Sequence, residues 1–176
     1  MNWLDRIFKE ATAAIGSEYF HLPVCERGEI YRERVYCYEL YHQVRTRWPS
    51  PEACSYRLNG ELDKVAHPLM QSCAAGRSKP DFLVHAPGTM NQNYAIFEIK
   101  AQNARRSAIK KDIETLNQFR RTAHYGRAIY LVYGDGAEKS LPTICEVAKQ
   151  ITNLDKIEVW LHDKVGQPAL TAYSTL

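Results

Sequence analysis

Asp81, Glu98 and Lys100 are the side chains whose types and spacing suggest chemistry in this chain. Asp81 opens the apolar run Phe82-Leu-Val-His85 directly after Pro80, a residue that fixes φ, lacks an N–H and suits the start or edge of a strand. Glu98 and Lys100 lie in Ala95-Ile-Phe-Glu-Ile-Lys-Ala101, where extended alternation sends both to one face and Phe97, Ile99 and Ala101 to the other. A polar insert, 86–93, with Pro87-Gly88 at its start, joins the two runs as a hairpin. Paired strands then bring two carboxylates and an ammonium together. That cluster becomes favourable around a hard divalent cation, Mg²⁺ or Mn²⁺, which prefers carboxylate oxygen and keeps positions open for water and phosphate. An ordinary strand ion pair on a solvated sheet face is the competing explanation.

Pro80-Asp81 followed by Glu98-Ile99-Lys100 resembles the bipartite signature of the PD-(D/E)xK nuclease superfamily, the restriction-endonuclease-like fold. The resemblance covers roughly residues 31–161 and implies an α/β fold with an αβββαβ core, a mixed central sheet flanked by helices. It implies a metal-dependent nuclease acting on DNA and leaving 5′-phosphate and 3′-hydroxyl ends. Asp81 and Glu98 would ligate Mg²⁺ or Mn²⁺ with the main-chain carbonyl of Ile99, and Lys100 would hold or polarise the attacking water. Some members donate a further glutamate from the helix before the first core strand, which implies a catalytic role for Glu39. Pairing of Glu39 with Arg32 or Arg45 explains that residue equally well. Glu61, after Asn59-Gly60, is the second added acid implied for the metal site, with Asp63 an alternative and a solvated strand position the ordinary explanation. Gln118 stands where RecB-like members carry a Gln followed four residues later by Tyr. Here that later position is Thr122, a departure from the subgroup. A member of the same fold that binds nucleic acid or a protein without cutting is the alternative function.

The elements that must position these residues follow from periodicity. Residues 2–15 place Trp3, Leu4, Ile7, Phe8 and Ala11 at helical spacing, a helix packed on the body. Residues 17–27 read as irregular. Residues 28–48 predict one long tyrosine-rich helix ended by Pro49 and Pro51, with a stripe through Tyr31, Val35, Tyr38, Tyr41 or His42, and Arg45 with Trp48; its tyrosines Tyr31, Tyr36, Tyr38 and Tyr41 also fit an oligomer interface. Residues 56–65 predict a bent strand or small hairpin at Asn59-Gly60, and 67–78 helix-like spacing. Ser107 is the expected N-cap of a helix running to about 125 through Ile109, Ile113, Leu116 and Phe119. Residues 127–133 predict a buried strand, parallel to the Glu98 strand because a helix links them. A helix over 140–153, a strand over 157–161 and a short strand or tail over 169–173 complete the α/β order.

At 176 residues the chain fits one domain, 1–176. A formal charge of +3 permits nucleic acid without demanding it. Arg105, Arg106, Lys110, Lys111, Arg120 and Arg121 line one helix and suit phosphate contacts or a solvated face alike, and Gln102 shares the face of Lys100. The five cysteines, Cys25, Cys37, Cys54, Cys73 and Cys145, are odd in number and show no metal spacing, so they read as reduced thiols of a cytoplasmic protein. No signal peptide or membrane-length apolar run is present in the sequence. The resemblance implies DNA as the partner, with a homodimer or larger complex open.

Overall fold

The nine residues of Asn93–Ala101 form the longest strand, β-branched and aromatic enough to be buried on both faces, and the molecule is built out from it. The computed structural model describes residues 2–26, 28–60, 79–89 and 91–176. In chain order it contains helices α1 (Trp3–Ala13) and α2 (Ser17–Phe20), a small hairpin of β1 (Leu22–Val24) and β2 (Gly28–Ile30), and α3 (Glu33–Thr46). Strands β3 (Arg57–Gly60), β4 (Phe82–His85) and β5 (Asn93–Ala101) lead to α4 (Arg106–Ala123) and β6 (Arg127–Tyr133). A 3₁₀ turn (Ala137–Ser140), α5 (Leu141–Ala148), β7 (Glu158–His162) and β8 (Leu170–Tyr173) follow.

The main sheet has six strands in the order β3-β4-β5-β6-β7-β8. β3, β4 and β5 form an antiparallel meander, β5, β6 and β7 are parallel, and β8 returns antiparallel. The parallel pairs are those joined by helical crossovers, as chain direction requires. The sheet is mixed and lies between two helical layers. On one face Leu4, Phe8, Tyr36 and Leu40 of α1 and α3 meet Phe97, Ile99 and Trp160. On the other, Ile109, Ile113 and Phe119 of α4 and Ile144 of α5 cover Ile96, Tyr130 and Val132.

Several sequence expectations change in their details. The 28–48 segment is a short strand followed by a helix that starts only at Glu33, and the buried stripe is Tyr36, Cys37, Leu40 and Val44. Tyr38, placed in the stripe by spacing, is 61% exposed. The rotation is fixed by tertiary packing, because the Tyr36 ring stacks on Tyr133 with centroids 3.8 Å apart and its hydroxyl is 2.7 Å from His162 Nδ1. Arg105, not Ser107, occupies the N-cap of α4, without a side-chain cap. α5 is shorter than the 140–153 span, and the 17–27 stretch contains α2 and β1. The hairpin carrying Asp81 and Glu98 and the parallel β5/β6 pair are as expected. Glu61, Asp63, Cys73 and the 67–78 spacing lie outside the described residues.

The N-terminal helix belongs to the same core as the sheet. Phe8 stacks on Phe97 with ring centroids 4.3 Å apart and meets Trp160 edge-on at 6.4 Å. Its neighbour Asp5 accepts from Arg127 at 2.7 Å, while Arg127 also donates to both Glu158 oxygens. Replacing Phe8 by Ala should cost about 3–5 kcal/mol, the usual effect of emptying a buried aromatic site. Urea denaturation followed by circular dichroism checks this: one cooperative transition at a lower midpoint is expected, and an unchanged midpoint would mean that α1 contributes nothing to the core.

Candidate active site

The candidate site forms because β4 is shorter than β5. β4 begins at Phe82, which pairs with Phe97, so the last residues of β5 run past it with no strand neighbour on that edge. The Ile99 N–H at this open edge donates instead to Asp81 Oδ2 at 2.7 Å. Within a strand the N–H and C=O of one residue point to the same edge, so the Ile99 carbonyl is directed to the Asp81 side as well. Glu98 and Lys100 project to the opposite face from Phe97 and Ile99, toward α4, as alternation demands.

Asp81, Glu98 and Lys100 line one cavity of about 270 Å³. Two further acids enter it that spacing alone did not single out, Glu33 from the first turn of α3 and Asp112 from α4. Lys100 Nζ donates to Glu33 Oε1 at 2.7 Å and stands 3.4 Å from Asp112 Oδ2, which makes no well-aligned hydrogen bond. Cys37, Arg34, Lys79 and Lys111 complete the wall.

Among the described residues the wall sets four carboxylates, Glu33, Asp81, Glu98 and Asp112, against four cations, Arg34, Lys79, Lys100 and Lys111, and burial dominates the electrostatics of the acids. Burial first, then the charges of Asp81 and Asp112, push the Glu98 carboxyl well above the usual range, against the pull of Lys100. Burial likewise raises Asp81 to about 7, opposed by the Ile99 hydrogen bond and reinforced by Glu33. Asp112 is pushed up to about 6, again first by burial, with Lys100 opposing. Burial works against the Lys100 charge, but Asp112, Glu33 and Asp81 outweigh it and hold the ammonium above the ordinary lysine range. Lys100 is therefore a fixed cation at neutral pH. The Cys37 thiol is driven up by burial and by the Asp81 and Glu33 charges, which keeps it protonated and unsuited to nucleophilic attack.

The remaining sequence candidates fall elsewhere. Glu39 points away from the cavity and accepts from Gln43 at 2.6 Å; it is six residues from Glu33, which turns it to another face of α3. Gln102 packs its Cγ against the turn at Gly134, where φ is +128° and a Cβ would be 2.6 Å from that atom. Arg105 is exposed at the N-cap of α4, Arg106 pairs with Glu146 of α5 at 2.7 Å, and Lys110 lies 3.8 Å from Glu114 along its own helix. Arg120 and Arg121 are engaged by Asp155 and by the carbonyl of Asn153 at the far end of α4. Gln118 is half-buried and does not line the cavity. Of the basic residues of α4, Lys111 is the one that reaches the cavity wall.

Among the described residues no group of three or more His, Cys, Asp or Glu side chains stands arranged as a metal cage. No helix among them is long and apolar enough to cross a membrane. No protein-family profile, no curated protein and no solved structure matches the chain.

The raised carboxyl of Asp81 gives a pH prediction. Its folded-state value lies above its unfolded value of about 3.8, so its contribution to stability is complete below that value and is lost as pH rises through about 7. Without added cations, thermal unfolding should therefore shift to lower temperature between pH 4 and 7.5. Asp81→Asn, which retains an acceptor for the Ile99 N–H, should flatten this decline and be the more stable protein at pH 7.5. Scanning calorimetry across that range tests it; a variant that is less stable at every pH would refute the assignment of strain to this carboxylate.

Proposed function

We propose that the chain is a metal-dependent nuclease of the PD-(D/E)xK type, hydrolysing phosphodiester bonds in DNA. The observation that carries this reading is the convergence of Asp81, Glu98 and Lys100 at the open end of β5, in a cavity that Glu33 and Asp112 also enter. The order α3-β3-β4-β5-α4-β6, an antiparallel meander followed by a helical crossover to a parallel strand, supports a restriction-endonuclease-like core.

The donor set suits Mg²⁺ or Mn²⁺. Asp81, Glu98 and the Ile99 carbonyl offer hard oxygens from one edge of β5, few enough to leave positions for water and phosphate. The carboxyls of Asp81 and Glu98 are raised first by burial and then by neighbouring acids, and a bound divalent cation would favour their ionised forms. When bound, such an ion lowers the pKa of a coordinated water and neutralises charge on the scissile phosphate.

The chain's own residues do the rest. Glu33 and Asp112 hold the Lys100 ammonium from both helical layers, so it is oriented before substrate arrives. From there it counters the charge that develops on the phosphate and fixes the attacking water. Proton removal is left to other groups, since Lys100 stays charged. Lys111, exposed at the wall, favours approach of a phosphate backbone to the cleft.

Cleavage of plasmid, linear duplex, single-stranded DNA and RNA with Mg²⁺ or Mn²⁺ tests the proposal, comparing wild type with Asp81→Asn, Glu98→Gln and Lys100→Ala. Each substitution should lower the cleavage rate at least about 10²-fold, the effect expected of losing one positioned charge in the transition state. Lys100→Arg should not restore it, because a planar fork does not replace a compact ammonium. Mn²⁺ should raise the melting temperature of wild type at pH 7.5 and leave Asp81→Asn unmoved. Equal trace activity in all four proteins would mean a contaminant, and a non-cutting binding module would replace the nuclease.

A further inference from the structure

A second cavity, of about 240 Å³, adjoins the acidic one and is lined by Cys37, Tyr38, Tyr41, Gly60, Asp81 and Phe82. Cys37 and Asp81 belong to both walls, so the two cavities are separated by little more than the width of those side chains. The chemistry changes abruptly across that boundary. On one side lie charged groups; on the other the described residues beyond Cys37 and Asp81 are two tyrosines, Phe82 and Gly60.

The aromatic wall is unusual in two respects. Tyr38 is 61% exposed although it is a large apolar side chain, and its position on α3 is not required by the core, which uses Tyr36, Cys37, Leu40 and Val44. Tyr41, by contrast, is fixed: its hydroxyl donates to the Leu58 carbonyl at 3.3 Å and its ring packs near Phe82, with centroids 5.8 Å apart. At Gly60 an added Cβ would lie 3.5 Å from the Tyr41 ring, so the missing side chain leaves the ring accessible from that side. One ring is anchored, the other is free to adjust, and both edge a space smaller than the ~300–1,000 Å³ pockets that enclose drug-sized ligands.

We propose that this aromatic cavity receives a single unstacked base of the nucleotide whose phosphate enters the acidic cavity. The inference rests on the nuclease reading above and deepens it, naming single-stranded, frayed or flapped nucleic acid as the substrate class. A base and its phosphate are joined through one sugar, and the shared Cys37–Asp81 wall offers the corresponding separation between an apolar and a charged compartment. Aromatic rings bind any base through its π-face, whereas a base still paired and stacked in a duplex presents only its edge. The site thus selects for strand opening rather than for sequence.

The test uses the full chain with Ca²⁺ in place of Mg²⁺, to hold binding without turnover, and measures fluorescence anisotropy of a labelled short single strand and of the same sequence as duplex. Wild type is compared with Tyr38→Ala and Tyr38→Phe, both at an exposed position whose loss leaves the core intact, and cleavage of the single strand with Mg²⁺ is measured in parallel. Tyr38→Ala should weaken single-strand binding about tenfold, within the range that stacking of one base contributes, and raise KM with little change in kcat. Tyr38→Phe should bind as wild type, and duplex affinity should change little. Unchanged single-strand binding by Tyr38→Ala, while wild type still cuts in an Asp81-dependent manner, overturns the base subsite and leaves the nuclease reading standing. Wild type that neither binds nor cuts any nucleic acid overturns both. A wild-type dimer that Tyr38→Ala converts to monomer, with nucleic-acid affinity unaltered, would assign the cavity to a protein interface and also overturn the subsite.

Discussion

The hydrogen bond from the Ile99 amide to Asp81 is the interaction on which the site depends. A strand that outruns its neighbour leaves polar backbone groups without a ladder, and buried groups of that kind are costly unless paired. Asp81 resolves the problem where β4 gives way to the Pro80 turn. In doing so it fixes its own carboxylate beside Glu98 and directs the Ile99 carbonyl to the same place. A structural requirement of the sheet edge and the assembly of a charged site are thus met by one side chain.

The cavity that results holds its carboxylates at a desolvation cost. Lys100 is shared between Glu33 and Asp112, while burial first and neighbouring carboxylates second make Asp81 and Glu98 resist ionisation. Such an arrangement contributes little to holding the protein together, since buried charge repays its desolvation only when each member is paired. The rest of the molecule absorbs the cost through two apolar layers, anchored by Phe8 on Phe97 and by the α4 stripe on Ile96 and Tyr130. Buried carboxyls raised above their ordinary range and set in a firmly packed scaffold are the pattern expected where chemistry rather than stability shaped the residues.

α3 borders both cavities. Its first turn supplies Glu33 to Lys100, its buried stripe joins the core through Tyr36, and its outer edge presents Tyr38 and Tyr41 beyond Cys37. Because Tyr36 is stacked on Tyr133 and bonded to His162, the rotation of the helix is fixed, and with it the relative placement of the charged and aromatic walls. The basic face of α4 plays a smaller part. Most of its arginines are engaged by α5 or by the turn before β7, and Lys111 alone among them borders the cavity.

The sequence by itself determined the Asp81, Glu98 and Lys100 constellation and the mixed α/β order around it. Period-two alternation, the Pro80 start and the loop at Pro87-Gly88 are local rules that hold whatever packs above. The crossover helix to a parallel strand was equally legible, since its stripe of Ile109, Ile113, Leu116 and Phe119 is strongly periodic. Only the tertiary structure brought Glu33, and not the expected Glu39, to the cavity. Tyrosines run all round α3, so its apolar stripe could be drawn with more than one phase, and the phase was set by contacts with Tyr133 and His162 from strands far along the chain. Asp112 was hidden for a related reason: on a helix rich in charge it reads as one more solvated carboxylate. Its burial comes from lying over Lys100 of β5, a neighbour in space that no local spacing encodes.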